Sequence, residues 1–137
     1  PPGRESVILE TSFVVDLLRG DPRAEAKARD LDAREETVYL AAPTLFELWE
    51  GVSRGLPGRR EHDAVQAFVD AHDLLPFGPT DAREAGLLSG RLKRRGRAMG
   101  TVDVQLAGMA KARGETLLTG DRDFSAVAEV VGLEGYR

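Results

Sequence analysis

Apolar and polar positions along the chain follow two alternating periods, one typical of buried strands and one typical of helices. Ser6–Leu9 is a short apolar run with β-branched residues, which predicts a buried strand. Apolar positions at helical spacing follow as far as Leu18, and Gly20 is expected to end that helix. Thr11 or Ser12 is expected to cap its amino terminus. The chain therefore opens with a strand that leads directly into a helix.

The same alternation of strand and helix patterns continues to the end of the chain. Further helices are predicted over residues 21–34, 43–54, 61–72, 82–95 and 101–113, and further strands over 37–41, 74–77 and 115–118. Thr80 and Thr101 are expected to cap the last two helices, Gly55–Gly58 and Gly96–Gly100 to form loops, and Val127–Gly132 is a final apolar run. Strands that alternate with helices predict an α/β fold, in which a short, mainly parallel sheet lies between two helical layers.

The length and composition of the chain narrow the classes of protein to which it can belong. A chain of 137 residues suits one domain over residues 1–137, whose first five residues are expected to be disordered or left by processing or cloning. Cysteine is absent and there are two histidines, which excludes zinc and thiol enzymes. No apolar stretch suits a membrane span, so a cytoplasmic location is expected. The net charge of −4 argues against broad, charge-driven affinity for nucleic acid.

Five acidic residues lie where a parallel α/β sheet places its functional sites. Glu10 follows the first strand directly, and Asp121 and Asp123 follow the last predicted strand. Asp103 lies near the start of the last long helix, and Glu47 is predicted to lie in the first turn of the third helix. Sites in such sheets form beyond the carboxyl ends of the strands. We therefore expect these five carboxylates, which come from distant segments, to converge at one end of the sheet.

A cluster of carboxylates predicts a particular kind of chemistry. Acids that lie close together repel one another and raise one another's pKa unless a cation compensates. In a chain without cysteine and without a suitable histidine, the available ligands are hard oxygens, which favour Mg²⁺ or Mn²⁺. Such an ion lowers the pKa of a bound water and polarises a phosphoryl oxygen. The cluster thus indicates metal-assisted hydrolysis of a phosphodiester.

Each of these acids also has a purely structural interpretation. Glu47 lies three residues after Thr44, which is the spacing of a capping box. Asp103 is favoured near a helix amino terminus by the helix dipole, and Asp121 is suited to cap a short turn. Glu10 is harder to explain in this way, because an acid that ends a buried strand is costly unless something pairs with it. Their joint placement, more than any single residue, supports a site.

Three segments that carry these acids resemble the PIN-domain ribonucleases, and within them the VapC-like toxins of toxin–antitoxin pairs. The segments are VILETSFVVDLLRGDP, APTLFELWEGV and GTVDVQLAGMAKARGETLLTGDRDF. The likeness covers nearly the whole chain, and the third segment is the most specific because helix, strand and TGDRDF follow at the family's spacing. The resemblance implies a PIN-like three-layer α/β/α sandwich and a Mg²⁺- or Mn²⁺-dependent endoribonuclease that cleaves single-stranded RNA.

The resemblance also implies a role for each matching residue. It assigns catalytic positions to Glu10, Glu47, Asp103, Asp121 and Asp123. All of these except Glu47 are implied to hold the metal ion. Thr11 and Thr119 match small hydroxyl residues that support the acids, although capping explains Thr11 equally well.

Glu10 departs from the family's pattern, in which the first acid is normally aspartate. One extra methylene moves the carboxylate by about 1.5 Å along an extended side chain. Mg²⁺ requires near-ideal octahedral geometry, so the shift must be absorbed by side-chain bending, by metal movement or by an inserted water. Three interpretations stay open: a tolerated variant, a preference for Mn²⁺, or an attenuated enzyme. The alternative to an enzyme is a non-catalytic PIN-like module that binds RNA or a partner protein.

A basic run, RLKRRGR, lies at a helix end before the third acidic segment. Four of its members are candidates for binding RNA phosphates: Lys93, Arg94, Arg95 and Arg97. A solvated helix end whose cations favour the helix dipole explains the same residues.

Apolar residues near the acids suggest a protein partner. By the family resemblance, a groove for an antitoxin segment is flanked by Phe13, Leu17, Phe46 and Trp49. An amphipathic antitoxin helix would dock there through apolar anchors, although ordinary core packing explains most of these residues equally well. The resemblance also implies a homodimer.

Overall fold

A computed structural model of the chain describes residues 6–55 and 59–137. The expectations for residues 1–5 and for the loop after Gly55 lie outside the described residues. The strands are β1 Ser6–Leu9, β2 Thr37–Ala41, β3 Asp73–Leu75, β4 Thr116–Leu118 and β5 Gly132–Glu134. The helices are α1 Thr11–Leu18, α2 Pro22–Ala33, α3 Ala42–Arg54, α4 Arg59–Asp70, α5 Pro79–Arg94 and α6 Thr101–Arg113, followed by a 3₁₀ helix at Arg122–Val127.

The five strands form one parallel sheet in the order β3-β2-β1-β4-β5. In the register, Val7 of β1 pairs with Val38 of β2 on one side and with Thr116 of β4 on the other. The first strand of the chain is thus the central strand of the sheet. Because all strands run in the same direction, the residues that follow β1 and β4 meet at one edge, which is where the acids were expected.

Alternate residues of β1 point to opposite faces of the sheet. Val7 and Leu9 belong to a core formed with α1, α2, α3 and α4, whereas Ile8 belongs to a second core formed with α5, α6 and the 3₁₀ helix. Two buried layers therefore enclose the sheet, and the predicted α/β/α sandwich is confirmed. None of the helices in the described part of the chain combines the length and apolar content that a membrane crossing requires.

The starts of α5 and α6 differ from the prediction. Pro79 occupies the first position of α5, and the N-cap is Gly78 and not Thr80. The Gly78 N–H donates to the Asp81 carboxylate at 2.8 Å, so an acid inside the first turn replaces the predicted hydroxyl. Thr101 is the first residue of α6 and therefore is not its cap. In both cases the helix starts earlier than the apolar pattern does.

Gly108 sets the distance between α5 and α6. A Cβ atom at this position would lie 2.5 Å from the Cα of Ala85, which is too close for two carbon atoms. We expect Gly108→Ala to lower the free energy of unfolding by about 2 kcal/mol, because neither helix can move without opening the core. Gly86→Ala is the matched control, since a Cβ there meets nothing within 4 Å and alanine favours a helix. Equal melting temperatures for the two variants would contradict this expectation.

Candidate active site

Glu10 is the first residue after the central strand, and it is only 3% exposed. Its N–H donates to the Leu118 carbonyl at 2.8 Å, which continues the pairing of β1 with β4 beyond the strand. Its carboxylate accepts the Ser12 N–H at 2.9 Å and so caps α1. The predicted cap at Thr11 or Ser12 is therefore wrong, because Glu10 itself has the extended backbone of an N-cap residue.

Two hydroxyls hold one oxygen of this buried carboxylate. Ser12 Oγ and Thr119 Oγ1 each donate to Glu10 Oε1 at 2.5 Å. Together with the N–H on Oε2, three donors offset the cost of burying the charge. A carboxylate has about four acceptor positions, so one on Oε2 stays available for a further ligand. From the sequence, Ser12 is expected only as a possible cap of α1. Its position two residues after Glu10 is the signal that could have predicted the hydrogen bond from its hydroxyl to that carboxylate.

The segment after β4 joins the same hydrogen-bond network. The Asp121 N–H donates to Thr119 Oγ1 at 2.9 Å, and the Gly120 N–H donates to Ser12 Oγ at 3.1 Å. The Asp121 carboxylate accepts the Asp123 N–H at 2.9 Å and caps the 3₁₀ helix, as its structural interpretation predicts. This cap uses the Oδ1 atom, so it does not exclude a second role for the other oxygen.

Glu47 lies in the second turn of α3 and not in its first. The helix begins at Ala42, so the capping box predicted with Thr44 is wrong. Thr11 Oγ1 instead donates to Glu47 Oε1 at 2.6 Å and lies 3.2 Å from Thr44 Oγ1. Thr11 thus holds an acid on a neighbouring helix, which is the kind of contact that the family resemblance implies for it.

Asp103 brings all five acids into one electrostatic group. It lies in the first turn of α6 and is partly buried. Burial, and after it the negative charges of Glu10, Glu47, Asp121 and Asp123, together raise the pKa of its carboxyl to about 6. Among the described residues, no lysine or arginine forms an ion pair with any of the five acids. The cluster therefore carries uncompensated negative charge.

The donor chemistry of this cluster fits a hard divalent cation. Its side-chain ligands are carboxylate and hydroxyl oxygens, and a cation relieves the repulsion between the acids. Within residues 6–55 and 59–137, no three acidic or histidine side chains are already arranged as a metal site. Hydroxyl and N–H donors occupy part of the carboxylate oxygens instead. A cation at this cluster would compete with these donors for the carboxylate oxygens.

Tyr136 and Arg137 lie against Gly120, although no sequence pattern connects them with the acids. A Cβ atom at this glycine would lie 2.7 Å from Tyr136 Oη, so a larger residue does not fit beneath the tyrosine. Tyr136 donates to Asp16 at 2.5 Å and packs edge-on against Phe13. Burial and the hydrogen bond to Asp16 raise the pKa of its hydroxyl to about 12. Arg137 donates to the same Asp16 carboxylate at 2.7 Å. No sequence pattern signals this contact, because it depends on where β5 lies in the sheet.

The basic run at the end of α5 is divided by the structure. Lys93, Arg94 and Arg95 are exposed in the last turn and at the C-cap of the helix, as the helix-dipole interpretation predicts. Arg97 lies beyond the helix end and lines a cavity of about 340 Å³ together with Asp123. Of the four predicted residues, Arg97 alone is among those that line this cavity.

The profile of the PIN domain matches residues 7–130. The chain belongs to the PIN-domain family. Among curated relatives, the tRNA(fMet)-specific endonuclease VapC of Shigella flexneri is 26% identical over 121 residues, which cover 88% of this chain and 90% of the relative. The resemblance to PIN-domain ribonucleases and VapC-like proteins, based on the segments around the five acids, is thus confirmed.

Solved VapBC structures share this architecture. VapBC2 from Rickettsia felis, bound to a DNA fragment from the promoter, has a TM-score of 0.87 at 22% identity, covering 96% of this chain and 99% of that chain. VapBC-5 from Mycobacterium tuberculosis, a member of the VapBC family of toxin–antitoxin systems, has a TM-score of 0.70 at 24% identity, covering 96% and 98%. Both likenesses confirm the predicted PIN-like α/β fold.

Proposed function

We propose that this chain is a Mg²⁺- or Mn²⁺-dependent endoribonuclease that serves as the toxin of a toxin–antitoxin pair. One observation carries the proposal: five carboxylates interact at the edge of the central strands without a lysine or arginine partner among the described residues. The names of the relatives, an endonuclease and members of toxin–antitoxin systems, support it. Because one relative is specific for tRNA(fMet), a structured RNA is a candidate substrate.

The side chains of the site would have three roles: binding the cation, accepting a proton and orienting the acids. Four acids would hold the cation: Glu10, Asp103, Asp121 and Asp123. When bound, a divalent ion polarises a phosphoryl oxygen and lowers the pKa of a water. Glu47 would accept the proton of the attacking water at Oε2, since Thr11 engages only Oε1. Ser12 and Thr119 keep the Glu10 side chain in one orientation.

Cleavage of a defined RNA pool tests this proposal directly. The purified chain is incubated with a mixed single-stranded pool and, separately, with initiator tRNA, in Mg²⁺, in Mn²⁺ and in EDTA. We expect cleavage that depends on the divalent ion and that is lost in EDTA. Cleavage that persists in EDTA, or that is unaffected by Asp103→Asn, would rule out the proposed chemistry.

A non-catalytic or attenuated module is the second candidate function, and Glu10 is the observation that favours it. Three donors already engage this carboxylate, which is one carbon longer than the family's usual aspartate. If the wild type is silent with both ions and Glu10→Asp cleaves RNA, the natural chain is attenuated. If both are silent but bind RNA, the chain is a binding module.

Glu10→Asp is expected to change the rate of RNA cleavage by less than about tenfold in either direction, because aspartate also caps a helix and keeps the charge. The matched variant Glu10→Gln keeps the length but loses the charge, and we expect it to lower cleavage by at least about 100-fold. The two rates are measured on the same RNA in Mg²⁺ and in Mn²⁺. Equal activity of Glu10→Gln and the wild type would show that Glu10 only caps α1.

An antitoxin partner belongs to the same proposal. A cavity of about 230 Å³ lies between α1, α3 and α4, and its apolar lining includes Val15, Leu18, Leu48, Val52 and Val65. Glu47 lines one part of it, so an amphipathic helix docked there would bring a basic side chain to an acid of the site. The support for this partner is the chemistry of the groove together with the toxin–antitoxin relatives.

The four apolar residues predicted to flank the antitoxin groove are not those that line this cavity. Phe13 is buried in the core at 1% exposure, and Leu17 and Trp49 are partly buried against the same core. Phe46 is 60% exposed on α3 and lies outside the lining. Leu17, Phe46 and Trp49 each lie next to a residue that lines the cavity, namely Leu18, Glu47 and Leu48. Co-purification with the product of an adjacent small gene tests the partner.

Two further parts of the proposal concern assembly and location. We propose a homodimer and a cytoplasmic location, because both are usual for the family and because RNA and an antitoxin would be encountered there. Sedimentation equilibrium of the purified chain tests the first, and fractionation of the source cells tests the second. A monomer at micromolar concentration would contradict the homodimer.

A further inference from the structure

Two cavities flank the 3₁₀ helix Arg122–Val127 and share part of their walls. The larger, of about 940 Å³, includes Thr119, Gly120 and Asp121 in its lining. The smaller, of about 340 Å³, includes Asp123. Arg122 and Ser125 line both of them. The two cavities therefore adjoin at Arg122 and Ser125, with Asp121 in the lining of one and Asp123 in the lining of the other, and we refer to the pair as the groove.

The arginines in this groove fall into two groups. In the larger cavity, Arg23 donates to Asp21 and Arg137 donates to Asp16, so both charges are already paired. Arg122 is exposed, and in the described part of the chain it forms no ion pair. The same holds, within the described ranges, for Arg97 of the smaller cavity. Two arginines therefore line the groove beside an acid and, in the described part of the chain, form no ion pair, so they remain available to an external anion.

A specific turn places Arg97 in this groove. Gly96 has a φ of +69°, in the left-handed region that favours glycine, and it reverses the chain at the end of α5. The Arg97 N–H then donates to the Leu92 carbonyl at 2.8 Å, which closes the helix end. This turn separates Arg97 from the other basic residues of the run, which stay on the exposed helix surface.

We propose that Arg97 and Arg122 form a phosphodiester-binding groove, in which each contacts a backbone phosphate of an RNA strand next to the phosphate at the acids. The proposal rests on the proposed ribonuclease function, whose substrate path it specifies. Guanidinium groups match phosphate geometry with two parallel hydrogen bonds, and such contacts position a strand without reading its bases. In a chain of net charge −4, they also offset the repulsion between RNA and the acid cluster.

Equilibrium binding of RNA tests the groove without cleavage. Asp103→Asn serves as the background so that the RNA stays intact, and the probe is a fluorescein-labelled single-stranded RNA measured by anisotropy in Mg²⁺. We expect Arg97→Ala and Arg122→Ala each to weaken binding by about tenfold and to reduce the slope of log K against log salt by about 0.7. A second RNA of different sequence should lose the same factor, because phosphate contacts do not depend on the bases.

Two other arginines provide matched comparisons. Arg29→Ala removes one exposed charge on α2, outside the linings of the two cavities, and is expected to change binding by less than about twofold. Arg95→Ala removes a charge from the same basic run and is expected to weaken binding less than Arg97→Ala does. Equal losses of RNA affinity for Arg95→Ala and Arg97→Ala would mean that RNA binds to a diffuse basic surface and not to the groove. The proposed groove would be overturned if Arg97→Ala and Arg122→Ala lost no more RNA affinity than Arg29→Ala does. It would also be overturned if the chain did not bind RNA at all.

Cleavage by the wild-type chain, measured on the same RNA, separates this inference from the proposed function. If the wild type cleaves and Arg122→Ala does so with unchanged KM, the groove is wrong and the ribonuclease stands. If the wild type is inactive but the two arginine variants bind RNA more weakly, the groove stands as part of a non-catalytic binding module. If both cleavage and the arginine effects are observed, both proposals are supported.

Discussion

Replacing Asp103 with asparagine is expected to lower RNA cleavage by at least about 100-fold and, at the same time, to make the metal-free protein more stable. The second effect follows from the pKa of this carboxyl, which burial and four neighbouring acids raise to about 6 from 3.8. Ionising Asp103 near pH 7 therefore costs folding free energy, and asparagine removes that cost. After discounting for solvent screening, the gain is about 1 kcal/mol, or roughly 3 °C in Tm.

The pH dependence of this effect has a definite sign. Because the folded-state pKa of Asp103 is raised, the folded protein holds the proton more tightly than the unfolded chain does. The wild type should therefore lose stability, relative to Asp103→Asn, as the pH rises from about 4 to about 6. Thermal unfolding in EDTA at pH 4.5 and at pH 7 measures the difference, which should be small at the lower pH.

Added divalent metal ions should stabilise the wild type, which is the opposite of the effect of ionising Asp103. At pH 7 we expect Mg²⁺ or Mn²⁺ to raise the Tm of the wild type by relieving the repulsion, and to raise that of Asp103→Asn much less. Asp32→Asn removes an exposed acid on α2 and is the matched control, with stability within about 0.5 kcal/mol of the wild type. An Asp103→Asn variant that is less stable than the wild type in EDTA would show that the acids do not repel one another.

The sequence predicts the layers of this fold well because they depend on local periodicity. Val7 and Leu9 belong to one core and Ile8 to the other. Because both faces of this central strand are buried, its sequence is a run without polar residues, which is the pattern that predicts a buried strand. Strand β5 is not predicted, since Gly132–Glu134 contains one apolar residue and forms by pairing with β4. A strand whose stability comes from a distant neighbour leaves little trace in its own residues.

The site shows the same division between local and distant information. Four of the five acids are predictable, because each follows a strand or opens a helix at the carboxyl edge of the sheet, whereas Glu47 lies one turn further into α3. Which hydroxyl supports which acid depends on register: Leu9 pairs with Leu118, so Glu10 and Thr119 lie side by side. The sequence alone gives neither that register nor the turn at Gly96.

Arg113→Met is expected to lower the free energy of unfolding by about 3 kcal/mol, the largest loss of stability that we predict. Arg113 donates to both oxygens of Asp81, at 3.2 and 3.0 Å, and to the Pro76 carbonyl at 3.0 Å. The Asp81 side chain is 5% exposed, so without this arginine it would be a buried charge with no cation. The pair also joins the end of α6, the helix whose first turn carries Asp103, to the start of α5.

A double-mutant cycle separates the ion pair from simple packing. If Arg113 stabilises the fold by compensating a buried charge, then Asp81→Ala with Arg113→Met should cost clearly less than the sum of the two single changes, by about 2 kcal/mol. Arg83→Met, which removes an exposed arginine from α5, should cost less than about 0.5 kcal/mol in the same urea titrations. Additive losses at Asp81 and Arg113 would mean that each side chain acts alone, Asp81 as the cap of α5 through Gly78 and Arg113 through Pro76. The α5–α6 pair would then depend on Gly108 and its apolar neighbours alone to keep Asp103 in place.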